Sequence, residues 1–327
     1  MSDNRLVFAI LPPFTDNVPA LADRLREDVP GLEVACAGTE ADVPAMLERA
    51  DAALGWIPPG AVRAAKRIRW LQCPFAAPFA GYYHQELIDH PVVITNLRGI
   101  YSDHIAHHIL MFMLALSRGL PYWMDAQRTG RWTRDARKRG YRNIVNSTVL
   151  IHGVGGIGAE TARLCAAMGA RIIGIDARRE HDCPGEIHPP SHLDAVLPDA
   201  DFVVTTVPHT PETELMWNAE RFARMKPEAY FINIGRGMTT SLDDLVAALA
   251  NGTIAGAGLD VFEIEPLPDG HPLWSMENVI LTPHIAVADA EDLAERRYRT
   301  LVANARRFVA GEPLDSFENV VDKAAWY

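Results

Sequence analysis

The stretch Val149-Leu150-Ile151-His152-Gly153-Val154-Gly155-Gly156-Ile157-Gly158-Ala159-Glu160-Thr161-Ala162 decides the fold. An apolar run, a glycine-rich turn and a helix-forming segment follow one another, which is the order of a strand, a phosphate-binding loop and a helix. Gly153 permits the tight turn, Gly155 lets a pyrophosphate approach the backbone, and Gly158 lets helix and strand pack closely. The amides of Gly156 and Ile157 stand at the helix N-terminus, where free N–H groups face an anion. A second apolar run, Arg171–Ile175, ends at Asp176, 18 residues after Gly158. That spacing suits a carboxylate that takes the adenosine ribose hydroxyls. Asp176 also repels a 2′-phosphate, so NAD is expected over NADP, although Arg178 and Arg179 act in the opposite sense. His152 is read as a packed structural histidine.

Outward from this loop the chain alternates between strand and helix signals, the pattern of parallel strands with helical crossovers. Before it, strands are expected at Leu6–Leu11, Leu32–Ala35, Ala52–Trp56, Trp70–Cys73 and residues 91–96, with helices at Val18–Asp28 and Glu40–Ala50. This first unit has no glycine fingerprint. A helix at Ile105–Leu116, apolar nearly all round, reads as buried between domains or subunits. Beyond the loop, strands are expected at Phe202–Thr206, Ala229–Ile234, Gly256–Asp260 and Val279–Thr282, and helices at Leu242–Ala250 and Asp289–Ala310.

Composition sets outer limits. The 327 residues suffice for two ordinary domains, and 48% hydrophobic with 22% charged residues can bury a core. A net charge of −11 opposes nucleic acid as a partner, and the basic run Arg128–Arg142 reads as a solvated arm. Cys36, Cys73, Cys165 and Cys183 lack metal-ligand spacing and are read as free, mostly buried thiols. No metal is expected, and His104, His107 and His108 are read as helix packing. The N-terminus lacks a basic leader and no apolar run approaches the ~20 residues of a membrane span, so a cytoplasmic, membrane-free protein is expected.

Three later residues carry chemistry. Arg236 ends the run Phe231-Ile232-Asn233-Ile234-Gly235, at the strand end where ligands bind in open α/β sheets, and a guanidinium grips a carboxylate in bidentate fashion. Glu265 follows Asp260 by five residues. His284 follows the strand at Val279–Leu281. A histidine titrates near neutrality, and a carboxylate beside it fixes its tautomer and favours its charged form.

These stretches resemble the D-isomer-specific 2-hydroxyacid dehydrogenases. The resemblance rests on Val154–Gly158, Val207–Thr213, Asn233–Gly237, Leu259–Pro268, His271–Trp274, Asn278–Ile285 and Gly311–Leu314. It implies a Rossmann cofactor domain at 103–287, inserted into a flavodoxin-like substrate domain made of 1–102 and 288–327. By the same resemblance His284 is the acid/base, Glu265 its partner and Arg236 the carboxylate binder. Asp260 is placed near the nicotinamide carboxamide, and Pro208, Thr213, Ile234, Gly235 and Ala286 also line the cofactor. A 2-oxoacid or 2-hydroxyacid would sit between the domains, held also by backbone amides at Ala76 and Ala77, with hinges near Leu97–Ser102 and Val287–Asp289. A homodimer is expected through Ile105–Leu116 and the arm Pro121–Tyr141.

The chain departs from the family in its first domain, where Phe75-Ala76-Ala77-Pro78-Phe79 replaces the usual Ser-Ala-Gly-Val-Asp. His107 also stands where many members carry Glu, and Gly156 where many carry Arg. The aromatics Phe75, Phe79, Tyr82 and Tyr83, without Lys or Arg, predict a pocket for an apolar side chain and not for a phosphorylated substrate. An NAD-sensing corepressor-like protein and a phosphite-type dehydrogenase are the alternatives. Glu265 argues against formate dehydrogenase, which has Gln there, and the chain ends soon after Leu314, so no appended regulatory domain is expected.

Overall fold

The computed structural model describes residues 5–12, 17–76, 81–133, 141–288 and 290–324. Two compact units emerge: Met1–Ile100 with Glu291–Tyr327, and Tyr101–Ala290.

In the first unit, short buried strands alternate with helices, as apolar runs separated by polar turns require. Strands β1 (Leu6–Ile10), β2 (Leu32–Cys36), β3 (Ala52–Leu54), β4 (Trp70–Gln72) and β5 (Val93–Thr95) form a parallel sheet of order β2-β1-β3-β4-β5. This is the flavodoxin-like order. Helices α1 (Val18–Asp28), α2 (Val43–Leu47) and α3 (Gln85–Asp89) belong to the same unit, as does the late helix Leu293–Ala310. That late helix lays Tyr298, Leu301, Ala305 and Phe308 against Phe8, Ile10 and Trp70. The single helix expected over Glu40–Ala50 divides into a 3₁₀ turn, Glu40–Asp42, and α2. Pro44 stands at the junction, and its missing N–H suits a helix start.

The second unit holds helices α4 (Ser102–Ser117), α5 (Leu120–Arg128), α6 (Gly156–Ala167), α7 (Leu193–Val196), α8 (Ala219–Phe222) and α9 (Leu242–Ala250). Its strands are β6 (Thr148–His152), β7 (Arg171–Ile175), β8 (Glu186–His188), β9 (Phe202–Thr205), β10 (Tyr230–Asn233), β11 (Gly256–Leu259) and β12 (Val279–Leu281). The sheet is parallel, of order β12-β11-β10-β9-β6-β7-β8. Strand order reverses at β6, so the glycine loop after β6 opens at the topological switch point. The ends of β10, β11 and β12, which carry Arg236, Asp260 and His284, lie along that same carboxyl edge.

The α4 helix buries Ile109, Phe112, Met113 and Leu116 against the sheet and leaves Met111 and Leu114 41% and 42% exposed. The arm begins as a regular helix, α5, because Gly119 at positive φ and Pro121 at the helix start re-initiate the chain; residues 134–140 of the arm lie outside the described residues. Strand β8 has no signal in the sequence because only Ile187 of its three residues faces the core. Cys73 and Cys165 are buried, whereas Cys36 is exposed and Cys183 only partly covered; all four are free thiols. No helix among the described residues is long and apolar enough to cross a membrane.

His152 is buried at the end of β6, its ring edge-on to Trp217 and its Nδ1 3.3 Å from the Thr205 hydroxyl. Burial, aided by Arg221, lowers its pKa from 6.5 to about 4. Below about pH 6.5 the unfolded chain gains a proton there that the folded chain refuses until about pH 4. Stability is therefore lost as pH falls through that window, by at most about 3 kcal/mol. Thermal melts of His152→Met should lose less Tm between pH 7 and pH 5 than wild type does; equal losses would show that another group governs acid stability.

Candidate active site

The glycine loop has the shape that a dinucleotide needs. Gly153 has φ +96°, and a Cβ on it would meet the Thr206 hydroxyl at 2.8 Å. A Cβ on Gly158 would lie 2.0 Å from the Gly153 carbonyl oxygen, so only glycine lets α6 pack this closely on β6. Around Gly155 nothing lies within 4 Å of where a Cβ would stand, which leaves the backbone open to a phosphate. Gly156 and Ile157 occupy the first turn of α6, where a helix supplies no acceptor for its own amides. The residues present thus fit a dinucleotide pyrophosphate. Asp176 follows β7, with one oxygen accepting from the Val154 amide at 2.7 Å and the other from the Arg178 amide at 2.8 Å. The acid therefore braces the glycine loop while remaining partly open to solvent.

The His–Glu pair is formed. His284 Nδ1 lies 2.8 Å from Glu265 Oε2, and the other Glu265 oxygen accepts from the Phe262 amide at 2.9 Å. The pairing occupies Nδ1 and leaves Nε2 as the edge that can exchange a proton. The ring is half exposed, as a group that meets a substrate must be. The Arg236 guanidinium donates to the Gly235 carbonyl at 2.6 Å. Burial lowers its pKa and Glu265 opposes that shift, so the cation sits within the field of the same carboxylate that holds His284.

Backbone packing brings these groups together. A Cβ on Gly237 would lie 1.8 Å from the Phe262 carbonyl oxygen, so the loop after β10 abuts the turn that carries Glu265 only because residue 237 has no side chain. Asn233, fully buried, accepts from the Gly235 amide at 3.0 Å and donates to the Arg236 carbonyl and the Thr240 hydroxyl. Glu263, two residues from Glu265, caps the start of α9 by accepting from the Leu242 amide. Asp260 is 1% exposed. It accepts from the Thr282 hydroxyl at 2.6 Å, the Ile285 amide at 2.9 Å and the Ala286 amide at 3.1 Å. These bonds bracket His284, which has φ +55°, a left-handed conformation rare outside glycine.

Asp260 and Ala286 are both legible as site residues in the sequence, but not the bond by which one fixes the other. Asn233, Gly237 and Thr282 carry no legible task there. Their partners lie on other strands, so spacing carried no signal. Thr213 closes the turn after β9, accepting from the Thr210 amide and donating to the Pro208 carbonyl. Ile234 is buried and Gly235 abuts the Val207 carbonyl. In the first unit, the Asn96 side chain donates to the Ala76 carbonyl at 3.1 Å, while Ala77 lies outside the described residues. The aromatic pocket expected there needs correction. Tyr82 and Tyr83 are 0% and 7% exposed, and the Tyr82 hydroxyl is spent on the Gly55 carbonyl. Both rings pack inside that unit, and Phe79 lies outside the described residues. Among the described residues no group of His, Cys, Asp or Glu is arranged to hold a metal ion.

Comparison with known proteins agrees with this geometry. Residues 110–286 match the profile of the D-isomer specific 2-hydroxyacid dehydrogenase, NAD binding domain. The chain is 36% identical over 219 residues to a glyoxylate reductase of Thermofilum pendens, covering 65% of each sequence. Among solved structures, it resembles a D-isomer specific 2-hydroxyacid dehydrogenase from Xanthobacter autotrophicus in complex with NADPH and MES. That likeness has 31% identity and a TM-score of 0.80 over 98% of this chain and 99% of that one. A probable 2-hydroxyacid dehydrogenase from Rhizobium etli, in complex with NADP, HEPES and L(+)-tartaric acid, gives 26% identity and a TM-score of 0.81 over 99% and 100%. With the profile spanning more than half of the sequence, the glycine loop open for a pyrophosphate and the His284–Glu265 pair formed beside Arg236, the chain belongs to the D-isomer-specific 2-hydroxyacid dehydrogenases, the nicotinamide-dependent oxidoreductases of 2-hydroxyacids.

Proposed function

We propose that the protein reduces a small 2-oxoacid to the D-2-hydroxyacid with NADH, and catalyses the reverse oxidation. The observation that carries this reading is the His284–Glu265 pair, 2.8 Å apart on the sheet edge that also holds the glycine loop and Arg236. The bound nicotinamide supplies the hydride. Arg236 grips the substrate carboxylate and turns the carbonyl toward the ring of His284. Protonated at both nitrogens, His284 gives the Nε2 proton to the carbonyl oxygen as negative charge builds there. Glu265 keeps Nδ1–H engaged throughout and stabilises the charged ring. In the oxidation direction the neutral ring takes the hydroxyl proton.

His284→Ala should lower kcat by about 10²–10⁴-fold with cofactor affinity nearly unchanged; retention of more than about a tenth of wild-type turnover would remove His284 from the chemistry. Glu265→Gln removes the carboxylate that engages Nδ1 and orients the ring; kcat for oxoacid reduction should fall about tenfold or more with the KM for cofactor unchanged, and unaltered turnover would count against Glu265. The Thermofilum relative is named a glyoxylate reductase, so glyoxylate is the first substrate for both assays.

NAD(H) is the proposed cofactor. Two backbone bonds leave acceptor sites on Asp176 for ribose hydroxyls, while its charge opposes a 2′-phosphate. The Xanthobacter and Rhizobium structures hold NADPH and NADP, so the ratio of turnover with the two cofactors is the deciding measurement. NADH should exceed NADPH in kcat/KM by about tenfold or more, and Asp176→Ala should narrow that ratio. A wild-type preference for NADPH would assign control to Arg178 or Arg179.

A homodimer, in a cytoplasmic setting, completes the proposal. Met111, Leu114, Leu120, Met124 and Trp132 are 40–91% exposed along α4, α5 and the residues after α5, and exposed apolar side chains gathered in one region mark an interface. Light scattering should give about twice the 36.1 kDa chain mass at micromolar concentration; a monomer would refute the dimer.

A further inference from the structure

We propose that His108, on α4, is a positioning residue for the acid/base loop: it fixes the Thr282 hydroxyl on Asp260 and thereby holds the two backbone amides that follow His284. The proposal deepens the reading of His284 as the acid/base and rests on it.

A single hydroxyl proton decides the direction of this network. Thr282 Oγ1 lies 2.6 Å from Asp260 Oδ1, and a carboxylate oxygen only accepts, so the Thr282 proton goes there. His108 Nε2 lies 2.9 Å from the same Thr282 oxygen, which must then accept, so Nε2 carries the hydrogen. His108 Nε2 is also 3.8 Å from Asp260 Oδ1, and its side chain is only 13% exposed. Burial lowers the His108 pKa and Asp260 opposes the shift, in keeping with a neutral ring that donates through Nε2. The chain therefore runs from His108 to Thr282 to Asp260 and on to the amides of Ile285 and Ala286.

A second feature shows that α4 is seated for this contact. The Phe112 ring, one turn beyond His108, packs edge-on to the imidazole with centroids 4.8 Å apart. Phe112 also sits where a side chain on Gly258 would stand: a Cβ there would lie 2.6 Å from the ring. Gly258 is in β11, and Asp260 directly follows that strand. Its missing side chain lets α4 approach closely enough for His108 to reach Thr282.

Hydrogen exchange of the cofactor-free protein tests the idea independently of turnover. In His108→Leu, amide exchange in the peptide containing Ile285 and Ala286 should quicken about ten- to hundredfold, the effect of losing a bond to a charged group. The rest of α4 and β12 should exchange as in wild type. His108→Gln, whose amide can place a donor near the Nε2 position, should restore slow exchange. Thr282→Val, close in volume but without the hydroxyl, should reproduce the leucine pattern and gives the test should His108→Leu not fold. On glyoxylate, His108→Leu should lose about tenfold in kcat, as a displaced catalytic group does, with the KM for cofactor unchanged. Unchanged exchange at 285–286 in both His108→Leu and Thr282→Val, or faster exchange spread evenly along α4, would overturn the proposal and leave His108 as helix packing. Absence of turnover in wild type would count against the proposed reaction alone, since the exchange result stands without it.

Discussion

The buried carboxylate of Asp260 is the constraint on which the catalytic edge depends. Three donors converge on its two oxygens, and two of them are backbone amides just after His284. A left-handed backbone at a non-glycine residue costs about 1–2 kcal/mol, and it persists only where surrounding bonds hold it. Asp260 supplies those bonds from the end of β11. The strand, the acid and the loop after β12 thus form one unit, and Asp260 fixes the backbone that carries the His284 ring.

A second constraint is steric. Arg236 and Glu265 come from separate strand ends, and the proposed reaction needs both at one small molecule. Contact between the two loops is backbone to backbone, Gly237 against Phe262, with no room for a Cβ. Asn233 ties the first loop from within, and Glu263 ties the second to the start of α9. Of two glutamates separated by a single residue, one therefore shapes the turn and the other reaches the histidine. The same economy appears at the cofactor end, where Asp176 braces the Val154 amide with the carboxylate proposed to take the ribose.

Much of this was legible in the sequence because the decisive signals are local. The glycine loop, the acid 18 residues later and the apolar strands each lie within one short window, and the alternation of elements points to parallel strands with helical crossovers. What escaped was long-range. Nothing in the spacing of His108, Thr282 and Asp260 reveals that a helix and two strand ends converge. The glycines at 237 and 258 read as ordinary until the backbone or ring opposite each is known. The two faces of α4 escape for a related reason: the helix is apolar nearly all round, and periodicity cannot say that Met111 and Leu114 face outward while Phe112 and Met113 face the sheet. Tyr82 and Tyr83 looked like pocket residues because aromatic composition does not distinguish a pocket from a core.

In the proposed reaction hydride moves between the nicotinamide and the carbon next to a carboxylate, with the proton handled by the His284–Glu265 pair. Isotope transfer tests this most directly. With NADH deuterated at both C4 positions and glyoxylate replaced by a prochiral 2-oxoacid such as hydroxypyruvate, the account predicts one deuterium at C2 of the product and the D configuration. Label lost to solvent, or a product of L configuration, would contradict it.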